Sequence, residues 1–178
     1  MLPIFLALAF IAILFIIVVA GQPDEFKVSR SANISAPPEI IFSHVNDFHQ
    51  WEAWSPWAKM DPECKYTYAG SPAGVGAIFS WAGNKKVGEG RMTILESRPS
   101  DLIRIKLEFL KPFKATNTAE FIFQAEGGQT IVTWSMFGKN SFFFKAFGLF
   151  TNCDTMVGRD FEKGLAAMKS VAEAAAKN

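Results

Sequence analysis

The amino-acid sequence predicts an α+β fold in which a curved antiparallel sheet of about six or seven strands wraps around one long C-terminal helix. Most of the strand-like segments follow one another by short turns with no helix between them, an order typical of an antiparallel meander. The last segment, from about Asn152 to Ala176, instead repeats apolar residues every three or four positions, as an amphipathic helix does. A sheet with one apolar face needs cover, and this helix is the only predicted element long enough to supply it.

Alternation of apolar and polar side chains marks the strands. It is clearest in residues 101–110, where Ile103, Ile105 and Leu107 share one parity and charged residues hold the other. The predicted strands are 26–34, 65–69, 76–82, 87–97, 101–110, 116–126 and 129–138. The pair Pro37-Pro38, followed by Glu39, indicates the start of a helix that runs to about Asn46. A second short helix or turn is expected to carry Phe48, Trp51, Trp54 and Trp57.

The N-terminal segment is apolar throughout, because residues 2–20 contain no charged side chain. About 20 such residues are enough for a helix to cross the hydrocarbon core of a bilayer. We therefore predict a transmembrane anchor over residues 1–21, a linker over 22–25 and a domain over 26–178. A cleaved signal peptide and a buried core helix are the alternatives, although no basic stretch precedes the run. Lys27 and Arg30 are too few basic residues to assign the side of the membrane.

Composition excludes several function classes. The formal net charge is +1, so no basic stripe points to nucleic acid. The two histidines, His44 and His49, and the two cysteines, Cys64 and Cys153, form no metal-ligand pattern. We expect no metal, no cofactor and no catalytic residue that the sequence alone identifies. The cysteines are expected to be buried or half-buried thiols, with a disulfide as the alternative.

Several short motifs together resemble one protein family. They are ISAPPEIIF (34–42), DFHQWEAWSPW (47–57), GVG (74–76), GEGRM (88–92), TWSM (133–136) and DFEKGL (160–165). Over about residues 26–173 the chain resembles the START/SRPBCC (helix-grip) superfamily, and within it the polyketide cyclase/dehydrase and lipid-transport-like proteins. The resemblance implies the fold and an apolar cavity. It implies no single reaction, because members include ligand binders, transporters, cyclases and chaperone cofactors.

The implied cavity is expected to be lined by inward strand residues and by the inner face of the last helix. The candidate ligand-binding residues are Trp54, Phe79, Trp81, Met92, Ile94, Ile105, Leu107, Phe121, Phe123, Trp134, Met136, Phe147, Phe161 and Leu165. The alternative is that these side chains simply fill a core. The tryptophans at 51, 54 and 57 suit a pocket lid, a membrane contact or helix packing.

Two further groups of residues have open interpretations. Five phenylalanines fall within residues 142–150, which suits a mobile gate, a segment that dips into the bilayer beside the anchor, or ordinary helix packing. The polar candidates for acid or base chemistry are Asp47, His44, His49, Glu89, Arg91 and Glu120. No pattern assigns any of them to a pocket, and Glu89 and Arg91 share a strand face on which they are expected to pair.

The sequence thus predicts a membrane protein with a single-pass N-terminal anchor. Its domain is expected to bind or transfer a hydrophobic or lipid-like small molecule. The alternatives are a cyclase- or dehydrase-like enzyme and a protein-interaction module whose cavity is filled. The expected partners are the apolar guest and, through residues 2–20, the membrane, but not nucleic acid. The oligomeric state is left open.

Overall fold

The computed structural model describes residues 1–177, apart from the side chains of Leu2 and Cys153, so the predicted domain end at Asn178 lies outside the described residues. The predicted α+β fold is confirmed. The strands are β1 (Glu25–Ile34), β2 (Lys65–Gly70), β3 (Ala77–Ala82), β4 (Glu89–Arg98), β5 (Leu102–Lys111), β6 (Ala115–Glu126) and β7 (Gln129–Lys139). The helices are α1 (Leu2–Ala20), α2 (Pro38–Asn46), a 3-10 helix (Phe48–Ala53), α3 (Phe142–Gly148) and α4 (Cys153–Ala175).

All seven strands form one open antiparallel sheet in the order β1-β7-β6-β5-β4-β3-β2. Strands β2 to β7 follow each other as the predicted meander, and β1 adds to the free edge of β7, with Val28 opposite Met136. The pairing of β4 with β5 shifts register twice, next to Glu89 and next to Ile94. Such irregularities bend a strand and increase its twist, which helps the sheet to close around a helix.

The two short helices after β1 close one end of the sheet. Pro38 occupies the first turn of α2, where its fixed backbone angle and missing N–H cause no loss. The side chain of Asp47 then accepts a hydrogen bond of 2.9 Å from the backbone N–H of His49 and caps the 3-10 helix. Two indole N–H groups fasten this helix to α2, from Trp51 to the Val45 carbonyl and from Trp54 to the His44 carbonyl. Trp51 and Trp54 therefore stabilise the packing of this segment against α2.

Helix α4 lies close to the sheet because two of its residues are glycines. A Cβ atom on Gly164 would lie 2.8 Å from the Trp134 ring and 3.0 Å from Pro56, and one on Gly158 would meet the Arg30 guanidinium. Its inward side chains Phe161, Leu165, Met168 and Ala172 are buried. The helix thus covers the sheet as the amphipathic pattern predicts.

Polar contacts fix α4 to β1. The Arg30 guanidinium binds the carboxylate of Asp154 at 3.0 Å and that of Glu162 at 2.8 Å. Farther along the helix, Lys169 donates to the Asn33 carbonyl at 2.8 Å. These contacts set the rotation of α4, and with it the residues that face the sheet.

Helix α1 stands out from the domain. Of its described side chains only that of Val19 is buried, and α1 contacts the domain through α3. It is long enough to cross a membrane, and its mean hydropathy over Pro3–Ala20 is 3.1. Cys64 is a half-buried free thiol.

Candidate functional site

An apolar pocket of about 340 Å³ lies between the N-terminal half of α4 and the inner face of strands β2 to β7. Its apolar and aromatic lining comprises Phe48, Trp51, Trp57, Ala58, Tyr66, Tyr68, Phe79, Trp81, Val87, Met92, Leu107, Phe109, Ala119, Trp134, Met136, Met156, Val157 and Phe161. The polar lining residues are Glu52, Ser55, Lys86 and Asp160. Small-molecule sites are typically concave, mostly apolar and about 300–1,000 Å³ in volume, so this pocket has the usual character at the small end of the range.

The size of the inward side chains on β6 explains why the pocket exists. Phe123 and Phe121 fill the space at one end of this strand, whereas Ala119 and Asn117 follow on the same buried parity. Ala119 lies opposite Ile105 on β5 and opposite Met136 on β7. A methyl group in the middle of the sheet leaves space that a larger side chain would occupy, and that space is part of the pocket.

Stacked aromatic rings build the base of the pocket. The Trp134 ring lies parallel to that of Phe161, with centroids 4.0 Å apart, and tilts by 24° against Phe121 at 4.9 Å. The indole N–H of Trp134 is buried, and it meets no hydrogen-bond acceptor among the described residues. This stack separates the pocket from the filled core behind it, because Phe121 does not line the pocket and Trp134 and Phe161 do.

A glycine on β4 allows Trp81 to form the outer wall. A Cβ atom on Gly90 would lie 2.3 Å from the Trp81 ring, so only glycine leaves room for the indole at this position. The Trp81 indole N–H donates to the Val87 carbonyl at 3.3 Å, which holds the ring in place. Phe79 continues the wall, with ring centroids 6.1 Å from Trp81 and 5.3 Å from Tyr68.

Hydroxyl and carboxyl groups lie at the β2 side of the pocket. Burial, with a smaller contribution from neighbouring groups that include Cys64 and Glu52, raises the pKa of Tyr66 to about 12. Burial and the Glu52 carboxylate also raise the pKa of Tyr68. Both phenols are therefore neutral hydrogen-bond donors at physiological pH, and Glu52 is the carboxylate that lines the pocket beside them. A guest with an oxygen function at one end would find partners on this side.

The polar candidates from the sequence lie elsewhere. Glu89 and Arg91 were expected to pair with each other, but Glu89 binds Lys111 and Arg91 binds Glu108. Neighbouring strands bring these partners closer than a two-residue step along one strand does. Glu120 binds Arg104 at 2.8 Å in a similar cross-strand pair.

The remaining polar candidates are near the 3-10 helix but not on the pocket wall. The carboxylate of Asp47 is 2.8 Å from Nδ1 of His49, and the imidazole stacks on Tyr68 with centroids 4.1 Å apart. Burial lowers the pKa of His44, and its buried Nδ1 meets no hydrogen-bond partner in the described part of the chain. No cluster of His, Cys, Asp and Glu suited to a metal ion occurs among the residues that the structure describes.

The structure separates the candidate ligand-binding residues into three groups. Seven line the pocket, namely Phe79, Trp81, Met92, Leu107, Trp134, Met136 and Phe161. Six are buried in the filled core and do not line it, namely Trp54, Ile94, Ile105, Phe121, Phe123 and Leu165. Phe147 lies on α3 beside a second cavity. Their role in binding stays a prediction for all three groups.

Sequence reasoning missed several wall residues for which a signal exists. Phe109 has the same parity as Leu107 on β5, and Val157 precedes Phe161 by one helical turn on α4. Ala119 has the same parity as Phe121 and Phe123 on β6, but the alternation alone does not indicate that its small size leaves space. Tyr66 and Tyr68 carry no signal, because β2 is an exposed edge strand on which burial does not alternate. Glu52, an exposed residue of the 3-10 helix, carries none either.

The second cavity, a groove of about 850 Å³, adjoins the pocket. It lies between the chain that follows α1, the β5–β6 turn, α3 and the start of α4. Four residues line both spaces, namely Phe109, Met136, Met156 and Val157. The groove therefore adjoins the pocket, and it opens beside the end of α1.

Comparison with known proteins agrees with this architecture. Solved structures of the same fold include a protein of unknown function, SA2116, from Staphylococcus aureus, with a TM-score of 0.65, 10% identity, and coverage of 87% of this chain and 98% of that one. The ginseng major latex-like protein 151 from Panax ginseng has a TM-score of 0.60 at 12% identity, with coverage of 84% of this chain and 99% of that one. The di-domain ARO/CYC StfQ from the steffimycin biosynthetic pathway has a TM-score of 0.62 at 12% identity, with coverage of 87% of this chain and 53% of that chain. At these identities the likeness concerns the fold alone.

A comparison with curated protein sequences finds no match. The family model described as polyketide cyclase / dehydrase and lipid transport matches residues 25–173. That range starts at the first residue of β1 and ends within the last turn of α4, so it includes the whole sheet and the pocket. The chain therefore belongs to the polyketide cyclase/dehydrase and lipid-transport family of the START/SRPBCC (helix-grip) superfamily.

Proposed function

We propose that this protein is a membrane-anchored binding or transfer module for a hydrophobic or lipid-like small molecule, which it holds in the pocket between α4 and the sheet. The observation that carries the proposal is the pocket itself, with its aromatic walls and its few polar lining residues. Such a lining favours an apolar body, because burying apolar surface contributes about 25 cal/mol per Å². The phenols of Tyr66 and Tyr68 suit a single polar end.

The anchor is the second part of the proposal. We propose the division into an anchor over residues 1–21, a linker over 22–25 and a binding domain over 26–178. The length and hydropathy of α1 support it, and only 6% of its most apolar window is buried, whereas a core helix of a soluble protein is mostly buried. A signal peptide is the competing reading of α1. Mass spectrometry of the mature protein, extracted from membranes, distinguishes the two, because cleavage would remove these residues.

Native mass spectrometry of the full chain, released from detergent micelles, tests binding. We expect an additional mass at one guest per chain, and we expect a pyrene-labelled fatty acid to displace it with saturable fluorescence. A chain that carries no additional mass and shows no saturable signal would contradict the proposal.

A cyclase- or dehydrase-like enzyme is the second candidate function. It is favoured by the neighbouring Glu52 carboxylate and the neutral phenols, since acid–base catalysis needs a proton acceptor and a donor within reach of the substrate. The test is to incubate the guest found by mass spectrometry with the protein and with Glu52→Gln. If the parent protein converts the guest and Glu52→Gln does not, the result would support an enzyme. If the parent protein leaves the guest unchanged, the result would support the binding module. A protein-interaction module needs a filled interior, and a pocket of about 340 Å³ argues against it.

A further inference from the structure

Five exposed phenylalanines form an aromatic rim beside the groove, and three of them, Phe113, Phe147 and Phe150, line it. The rim comprises Phe113 in the β5–β6 turn, with Phe142, Phe143, Phe147 and Phe150 in and after α3. Phe150 is 79% exposed, and the other four are each about half exposed, at 49–53%. The rings of Phe113 and Phe143 have centroids 5.0 Å apart, so the turn and α3 form one surface. An apolar surface of this kind on a soluble protein marks an interaction site.

The rim is held next to the end of α1. Asn140 donates two hydrogen bonds across to the chain that follows α1, from its backbone N–H to the Asp24 carbonyl at 2.7 Å and from its side chain to the Pro23 carbonyl at 3.1 Å. The Lys145 ammonium on α3, only 9% exposed, binds the Asp24 carboxylate at 2.5 Å. Val19 at the end of α1 is fully buried. If α1 spans a bilayer, the rim lies at the surface of that bilayer.

The chemistry around the rim suits the same surface. Lys114 follows Phe113 directly, Lys139 ends β7 just before α3, and both are exposed. Lysines of this kind attract anionic headgroups, while the phenylalanine rings partition into the boundary between headgroups and acyl chains. The occupant of this surface is therefore a lipid bilayer rather than a protein, because the apolar rim continues directly into the apolar surface of α1.

From these observations we infer that the aromatic rim inserts into the membrane that α1 spans, and that the apolar guest passes between bilayer and pocket through the groove. The inference rests on the proposed function, since it needs both the anchor and the pocket. The groove supplies the route, because it shares Met136 and Val157 with the pocket and is lined at its outer end by Phe113, Phe147 and Phe150. A guest that follows this route meets apolar surface on the way from lipid to pocket.

Spin labels on the full chain in vesicles test the insertion. The vesicles are phosphatidylcholine with a minor share of phosphatidylglycerol, and Cys64 and Cys153 are replaced by serine. Single cysteines are then introduced as Phe150→Cys on the rim, Ile11→Cys in the middle of α1, and Val75→Cys as the control. Val75 is 57% exposed in the β2–β3 turn, at the strand ends opposite the rim.

We expect the labels at 150 and 11 to be accessible to oxygen and shielded from a water-soluble nickel chelate, and the label at 75 to show the reverse. A label at 150 that is open to the chelate, while that at 11 is shielded, would overturn the inference and leave the anchor standing. A label at 11 that is also open to the chelate would overturn the anchor, and the inference with it.

A transfer assay tests the route. The double variant Phe142→Ser/Phe150→Ser is compared with Val75→Ser/Leu95→Ser, whose parent residues are 57% and 54% exposed but away from the rim. We expect delivery of a pyrene-labelled fatty acid from vesicles to slow by about tenfold in the first variant only, because its apolar contact with the bilayer is lost. The affinity for the same probe in detergent should be unchanged in both. Unchanged delivery in the rim variant would refute the route, whereas a parent protein that does not bind the probe in detergent would refute the proposed function instead.

Discussion

The two ends of the same sheet differ in one respect, since one end is filled and the other is hollow. On β4, Ile94 belongs to the filled core, whereas Met92, two residues away on the same face, lines the pocket. On β6 the same step leads from Phe121 to Ala119. Alternation along a strand therefore determines which side chains face inward, and their size, together with the elements that cover them, determines whether space remains.

The covering elements are distributed unequally between the two ends. The filled end is covered by α2, which contributes the buried side chains of Ile41 and Val45, by Trp54 after the 3-10 helix, and by Leu165 of α4. The hollow end is covered by the 3-10 helix and by the first turns of α4, from Met156 to Phe161. Helix α3 adds no buried side chain there, because it lies beside α1 with its phenylalanines outward.

The largest difference between the two ends is expected for removal of an aromatic ring. Phe121→Ala should lower the free energy of unfolding by about 3–5 kcal/mol, because the fully buried ring contacts Trp51, Trp54 and Trp134 and its loss leaves a cavity. Phe79→Ala at the hollow end is the control, with an expected loss of about 1 kcal/mol because that ring is only partly buried and lines the pocket. Urea unfolding of the full chain in detergent measures both. Equal losses would contradict the division into a filled and a hollow end.

Addition of atoms should also cost more stability at the filled end than at the hollow end. Ala172→Leu introduces three carbon atoms where no space remains and should cost about 1–3 kcal/mol, since Ala172 is fully buried in the core. Ala119→Leu points the same atoms into the pocket and should cost less than about 1 kcal/mol, while it weakens binding of the pyrene-labelled fatty acid by about tenfold or more. Binding that survives unchanged in Ala119→Leu would place the guest somewhere other than this pocket.

The boundary between the two ends depends on how closely α4 approaches Trp134. Gly164→Ala should lower stability by about 1–2 kcal/mol, because the added methyl group would lie 2.8 Å from the ring, and the better helix propensity of alanine offsets only about 1 kcal/mol of that strain. Gly148→Ala on α3 is the matched control, since no atom beyond its chain neighbours and its own helix backbone lies within 4 Å of the added Cβ. It should be neutral or slightly stabilising. Urea unfolding of the full chain in detergent compares the two, and a stabilising Gly164→Ala would show that the helix can move away without cost.

The sequence predicts which side chains face the inside of the sheet, but it does not predict which end of the sheet is filled and which is hollow. The period of two assigned Met92, Ile94, Ile105 and Leu107 to the inner face, and the structure agrees. The same period cannot tell that Ile94 meets the filled core while Met92 meets the pocket, because that depends on which distant element lies above each residue. Phe147 illustrates the limit, since its short helix is positioned by contacts with α1 and Asp24 that are more than 100 residues away.

Trp54 and Trp57 show that the sequence pattern also fails to predict the environment of residues that are close together in the chain. Trp54 and Trp57 are three residues apart in a segment recognised as helical or turn, yet Trp54 is buried in the core and Trp57 lines the pocket. Their difference arises because the 3-10 helix ends at Ala53 and the chain turns at Pro56. Periodicity applies only while an element continues, and it says nothing about the residues after it ends.

The smallest expected effect concerns the ion pairs that hold the pocket end of α4 on β1. The Arg30 guanidinium lowers the pKa of Asp154, so the folded carboxylate stays charged to lower pH than in the unfolded chain. This contribution to stability is present above the ordinary aspartate pKa of 3.8 and is lost as the pH falls through the lower pKa of the folded state. Asp154→Asn should therefore be slightly less stable than the unmodified protein at neutral pH, with a difference that shrinks as the pH falls below 3.8.

Asp101→Asn is the control, because Asp101 pairs with Arg98 within one turn and connects no two elements across the pocket. Thermal unfolding from neutral to acidic pH, at constant ionic strength, should show the shrinking difference for Asp154→Asn, and the control variant shows how much of it follows from removing any surface carboxylate. The guest's dissociation rate should also rise in Asp154→Asn, because Met156 and Val157, which line the pocket, follow this residue on α4. A difference that persists unchanged in acid would mean that the aspartate acts there through packing rather than through its charge.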